Sequence, residues 1–123
     1  MSLVNVDDVP FEPIIASLRV SSHSKAHVGK SKDVVVLYNI EVHFRSGAMQ
    51  MVRRRYSAFS HLHDELKKKS SSVGHLSFPG KGFGLSDKTL RQRQEKFDEY
   101  LSALLSLAVS LRDDPSILQT VCA

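Results

Sequence analysis

The chain has 123 residues, with 41% hydrophobic and 24% charged residues and a formal net charge of +4. That is the size and composition of a single globular domain, too apolar for a disordered tail and able to bury a core without a metal or disulfide staple. No apolar run approaches the roughly 18–20 residues needed to cross a bilayer, the first residues lack the features of a secretory signal, and a lone Cys122 predicts a reducing, cytoplasmic setting.

Residues 1–12 are acidic and mixed and are expected to form a lead-in, with the folded domain over 13–123. Ile14, Ala16, Leu18 and Val20 alternate with polar residues, which predicts a first strand. The polar stretch from Ser21 to Asp33 is expected to be a turn or loop. Val34 to Phe44 carries the strongest strand signal, with Val36, Tyr38, Ile40, Val42 and Phe44 in alternation. Ser46-Gly47 forms a turn, and Met49, Met51 and Arg53 continue as a third strand of an antiparallel meander.

The period then changes from 2 to 3.6. Ser57 is expected to cap a helix bearing Phe59, Leu62 and Leu66 on one face. Lys67-Lys68-Lys69 ends it, where cations complement the helix dipole. Ser70 to Gly84 is rich in Ser, Gly and Pro and is expected to be an irregular loop. Ser86-Asp87 starts a second helix that turns Leu90, Phe97, Leu101, Leu104 and Leu105 inward. Asp113-Asp114-Pro115 opens a last helix with Ile117, Leu118 and Val121. The fold class is therefore α+β: a small three-stranded antiparallel sheet packed against a helical subdomain of three or four helices.

Charge is unevenly spread. Arg45 to Lys96 carries a balance of +8, and the remaining residues −4. A basic block of this kind suits an anionic partner such as a lipid surface, a nucleic acid or an acidic protein. Within it, Arg53-Arg54-Arg55 closes a strand and meets the start of a helix, where unpaired N–H groups and a positive dipole end favour phosphate. Tyr56 adds a planar ring. Lys81 sits in the loop Phe78-Pro79-Gly80-Lys81, and Phe83 and Leu85 are apolar residues in a glycine-rich stretch that could anchor to the core or enter a membrane interface. Arg93 shares a helix side with Phe97 and Tyr100, so its charge must find a partner or line a pocket.

The segment Arg54-Arg55-Tyr56-Ser57-Ala58-Phe59, followed by Leu62 and Leu66, resembles the signature of phox-homology (PX) domains. The loop Phe78-Pro79-Gly80-Lys81 is similar to the end of that family's proline-rich loop, though with one proline. Arg93, seven residues before Tyr100, is similar to the arginine of its later helix. The resemblance runs from about Ile14 to Val121. It implies a phosphoinositide-binding, membrane-targeting module, recognising phosphatidylinositol 3-phosphate on endosomal membranes as a peripheral protein. By the same resemblance Arg55 holds the 3-phosphate with help from Ser57 and the helix N-terminus. Tyr56 floors the inositol ring, Lys81 reaches the 1-phosphate, Arg93 meets the 4- and 5-hydroxyls, and Phe83 and Leu85 enter the membrane. The alternative is a module of the same fold that binds proteins and only weakly or broadly binds anionic lipid.

Other functions find less support. No nucleophile elbow, P-loop or dinucleotide fingerprint occurs, so no enzyme is expected. His61 and His63 lie two apart and cannot chelate as an i, i+4 pair would, and no metal or cofactor is expected. Aromatic residues are sparse and no nucleic-acid-binding motif is present, so no nucleic acid is expected as a partner.

Overall fold

The computed structural model describes residues 15–27, 29, 34–80, 84–107 and 114–122. The expected lead-in over 1–12, like Ile14 and Asp113, lies outside them. Three strands, β1 (Ile15–His27), β2 (Val34–Phe44) and β3 (Met49–Arg54), form an antiparallel sheet in the order β1-β2-β3. Four helices follow: α1 (Tyr56–Lys69), α2 (Ser71–Gly74), α3 (Asp87–Leu107) and α4 (Pro115–Cys122). This is the α+β architecture that the change of period predicts.

β2 is the central strand, and its alternation is realised directly. Tyr38, Ile40 and Val42 are buried and face the helices, with Val36 and Phe44 packed at the margin of the same core. Leu18 pairs with Val42 and Val20 with Ile40 across to β1, and Ile40 pairs with Val52 across to β3. The inner face is thus a continuous apolar surface.

β1 departs from expectation twice. It continues through the polar stretch to His27, which pairs with Val34, so residues 21–27 of the expected loop are strand, while 28 and 30–33 lie outside the described residues. The backbone of β2 offers ladder hydrogen bonds along its whole length, and an edge strand with one solvated face tolerates polar residues. The register also slips between Ile15 and Ser17 and again between Val20 and Ser22. Each slip inverts the side-chain parity. Ile15 is therefore buried in the core and Ala16 only half-buried, while His23 turns inward beside Tyr38 and meets Gln94 Oε1 of α3 at 2.6 Å.

The loop expected over Ser70–Gly84 contains the short helix α2, whose Val73 is buried, and its Leu76 and Phe78 pack on the core. α3 lies chiefly against β1, and α1 packs on α2 and α4. The centre of the core is aromatic. The Phe59 and Phe97 rings stack at 4.0 Å, and Tyr38 presents its edge to both.

Helix ends follow the sequence signals in two cases. Ser86 Oγ accepts the Thr89 N–H at the start of α3, and Asp114 Oδ1 accepts the Ser116 N–H at the start of α4, with Pro115 in the first helical position. The lysine run fills the last turn of α1 and is also ion-paired: Lys67 with Asp64, Lys68 with Glu65, and Lys69 with Asp114 of α4. Among the described residues no helix is long and apolar enough to cross a membrane.

Candidate functional site

The three arginines separate as the alternation of a strand requires. Arg53 and Arg55 are exposed, whereas Arg54 is half-buried and turned toward α4, where its Nε donates to the Thr120 carbonyl. Arg54 is a tie between sheet and helix. Arg55 is the last extended residue before α1 and occupies the N-cap position, with φ −83° and ψ 165°. Ser57 is therefore not the cap that the sequence suggests. It is the second residue of the helix, exposed, and among the described residues no side-chain hydrogen bond caps this helix start. The first turn of α1 consequently presents its N-terminal end beside Arg55.

Arg55, Tyr56 and Ser57 line a cleft of about 180 Å³ together with Arg93, Leu85, Tyr38 and the Val34–Val36 end of β2. Four of the residues singled out in the sequence beyond Arg55 — Tyr56 and Ser57 of α1, Leu85 of the segment before α3, and Arg93 of α3 — thus come together. Lys81 and Phe83 lie outside the described residues. Leu85 is 45% exposed and Val34 37%, so the mouth of the cleft carries an apolar rim on two sides.

Arg93 has only 9% of its surface exposed, and its guanidinium carbon lies 5.6 Å from the centre of the Tyr56 ring. This is a cation–π distance. Tyr56 is held in turn by Phe78 and Phe97 at 5.8 and 5.6 Å, and its hydroxyl donates to the Pro79 carbonyl at 2.7 Å. That bond fastens the Phe78-Pro79-Gly80 segment to the edge of the cleft. Behind it, His63 stacks on Phe78 at 4.6 Å, and its Nδ1 lies 2.6 Å from the Tyr100 hydroxyl.

The electrostatics favour an anion. Two guanidiniums and no carboxylate line the cleft among the described residues. Burial pushes the Tyr38 and Tyr56 phenols up, against the opposing pull of Arg93, so both remain neutral and neither cancels the positive charge. A second cleft, of about 130 Å³, opens beyond Arg93 and is lined by Pro79, Gly80, Thr89, Gln92, Arg93 and Lys96. The larger cleft between α1 and α4, of about 270 Å³, includes Glu65, and the guanidinium within it is the tied Arg54. It is less suited to a phosphate.

A family model described as the PX domain matches residues 42–119. The chain belongs to the PX domain family. Solved structures agree with this fold. A designed CISK-PX domain is 26% identical over 87% of this chain and 99% of its own, with a TM-score of 0.74. The mouse SNX19 PX domain with bound sulphate ion is 18% identical over 89% of this chain and 97% of its own, with a TM-score of 0.69. PX domains are generally phosphoinositide-binding modules that associate with membranes peripherally, and are lipid binders rather than enzymes.

Sequence reasoning missed the part of the cleft contributed by β2. Val34, Val35 and Val36 read as strand residues, and nothing local indicates that the end of this strand borders the arginines. The signal available was indirect: a strand continuing past the core residues Tyr38 and Ile40 must place its remaining apolar side chains somewhere.

Proposed function

We propose that this PX domain binds the headgroup of phosphatidylinositol 3-phosphate in the cleft between β2, α1 and α3, and so targets its protein to endosomal membranes. One observation carries the reading. Arg55, at the start of α1, and the nearly buried Arg93 share a cleft lined by no carboxylate among the described residues, with the Tyr56 ring beside them.

Arg55 pairs with the 3-phosphate, where an exposed, planar guanidinium can bond two oxygens at once. Ser57 and the first N–H groups of α1 add donors to the same phosphate. Tyr56 supplies a flat apolar face under the inositol ring. Arg93, held by packing rather than by a flexible stem in water, meets the 4- and 5-hydroxyls. Lys81 completes the set at the 1-phosphate. Phe83 and Leu85 enter the bilayer interface, a role supported for Leu85 by its exposure at the rim of the cleft.

A charge-assisted bond contributes roughly 1.5–3 kcal/mol net. An inserted apolar side chain adds about 1.5–3 kcal/mol. Headgroup and interface together therefore give moderate, reversible attachment. Sedimentation with vesicles of phosphatidylcholine carrying each phosphoinositide in turn tests this. Binding to the 3-phosphate lipid, lost in Arg55→Ala, is expected. Equal binding to every anionic vesicle, unchanged in Arg55→Ala, overturns the reading and favours the protein-interaction alternative.

A further inference from the structure

The sheet has two outer edges, and they differ. The edge of β1 is closed. α3 lies against that strand, Asp98 Oδ1 accepts the Val20 N–H at 2.8 Å, and Gln94 meets His23. The edge of β3 is open. α4 meets β3 on its buried face, at Arg54, and among the described residues no backbone hydrogen bond from another segment reaches Met49 or Met51. We infer that the β3 edge is a docking site for an extended segment of a partner protein, one with a short apolar stretch between acidic side chains.

The ladder fixes which backbone groups are available. The Phe44 N–H donates to the Ala48 carbonyl at 2.9 Å, and Gly47, at φ 93°, donates to the Phe44 carbonyl. Phe44 and Ala48 are thus a hydrogen-bonded pair at the mouth of the hairpin. Such pairs recur at every second residue of an antiparallel ladder. They fall at Val42 with Gln50, Ile40 with Val52, and Tyr38 with Arg54. Met49, Met51 and Arg53 therefore turn their backbone N–H and C=O groups away from β2. Arg54 Nη1 donates to the Arg53 carbonyl at 2.7 Å. The N–H and C=O groups of Met49 and Met51, with the Arg53 N–H, are left for a fourth strand. Another extended backbone matches that row of alternating donors and acceptors.

Side chains select the partner. Met49 and Met51 are 54% and 49% exposed and stand next to each other on the outer face of the sheet. Arg53 follows them on the same face, and Arg45 lies in the turn at the other end; both are exposed. No carboxylate lies within ion-pair distance of either arginine among the described residues. Glu41, across from Met51 on β2, is engaged by His43 at 3.1 Å. Side chains directly opposite on neighbouring strands interact. The complementary strand therefore sets apolar residues against Met49 and Met51, an acid against Arg53, and a second acid within reach of Arg45. An edge built only to repel other strands carries a proline, a bulge or a charge along its middle. Residues 49–52 carry none of these.

A second copy of this chain fits the edge less well. Antiparallel pairing about a two-fold axis at Met51 reverses the strand, so the two Arg55 clefts open in opposite directions and, under the headgroup reading, cannot meet one membrane. The six residues of β3 also fall far short of the roughly 20–30 residues a side of a stable specific interface. A single peptide strand needs neither a two-fold axis nor that area, because main-chain bonds supply its affinity and side chains its selectivity.

Hydrogen exchange followed in ¹⁵N–¹H correlation spectra tests the free edge. The Met49 and Met51 amides are expected to exchange about tenfold or more faster than those of Gln50 and Val52. The probe for docking is an acetylated, amidated heptapeptide with glutamate at both ends, valine at its third and fifth positions and threonine between. At saturation it is expected to slow the Met49 and Met51 amides about tenfold and to shift both signals. Methylating the valine nitrogens, which face β3, is expected to abolish binding, and methylating the threonine nitrogens, which face solvent, to preserve it. Arg53→Glu is expected to weaken the peptide about fivefold, and to favour instead the peptide with lysine in place of glutamate. Met51→Pro removes an N–H that lies outside the ladder, and is expected to abolish binding while the domain stays folded.

No binding of the heptapeptide overturns the inference, as does binding that is indifferent to which nitrogens are methylated. Slow exchange of Met49 and Met51 at every dilution of the domain alone also overturns it, since the edge is then covered within the chain. Protection that grows with the concentration of the domain alone gives the edge to a second copy and overturns the partner reading. The methylated peptides act on the wild type, so they decide the matter even where Met51→Pro does not fold. None of these readouts involves lipid, so they stand whether or not Arg55→Ala abolishes headgroup binding.

Discussion

The Tyr56 hydroxyl offers a test of how the cleft is built, because Tyr56→Phe removes one atom and keeps the ring. The contacts with Phe78 and Phe97 and the approach of Arg93 all involve the ring and persist. What is lost is the 2.7 Å bond from the hydroxyl to the Pro79 carbonyl. A neutral hydrogen bond contributes about 0.5–1.5 kcal/mol net, and a carbonyl left unpaired out of water costs about 1–3 kcal/mol. Pro79 is buried and its carbonyl bond only partly so, which puts the expected loss at about 1–2 kcal/mol. For a domain of this length each kcal/mol lowers Tm by roughly 3–6 °C. Urea unfolding followed by far-UV circular dichroism measures the change, and an unchanged slope with denaturant assigns it to the native state. Headgroup binding is expected to weaken only a few-fold, because the loop loosens while Arg55, Arg93 and the ring remain. Unchanged stability refutes the claim that Tyr56 fastens the loop. Loss of binding as complete as in Arg55→Ala refutes the assignment of its hydroxyl to Pro79 rather than to ligand.

Other perturbations probe different links. Phe97→Ala removes the ring that stacks on Phe59 and meets Tyr38, Tyr56 and Phe78, and is expected to cost about 3–5 kcal/mol in urea unfolding. Asp114→Ala deletes both the cap of α4 and the partner of Lys69, with an expected loss of about 1 kcal/mol from the cap, read from the unfolding midpoint. Burial, with help from Lys67 and against Asp64, holds the His63 imidazole below its ordinary range, so the unfolded chain takes up the proton first. Stability is then full above the unfolded pKa of about 6.5 and declines as pH falls below it. Thermal unfolding between pH 7.5 and 5 is expected to show that decline, and His63→Gln to flatten it.

Much of this architecture could be read along the chain because its signals are local. The alternation from Val36 to Phe44, the caps at Ser86 and Asp114, and the inward leucines of α3 each depend on neighbours within a few residues, and each appears in the structure. So does Arg93 near the core, which its spacing to Phe97 and Tyr100 implies. The motif Arg55-Tyr56-Ser57 was legible as a strand-to-helix junction for the same reason.

The remaining features were decided between segments distant in sequence. Polar residues 21–27 are strand because β2 offers them ladder partners, and two register slips reset which of their side chains turn inward. Whether Arg55 or Ser57 caps α1 depends on where β3 lets go of β2. That Arg54 ties to Thr120 while Arg55 opens to solvent depends on α4 arriving beside one face of β3. The cleft itself joins Val34–Val36, Arg55–Ser57, Leu85 and Arg93. No window of the sequence contains these residues together, because a site made at the meeting of a sheet edge and two helices exists only after the apolar faces of those elements have been buried against one another.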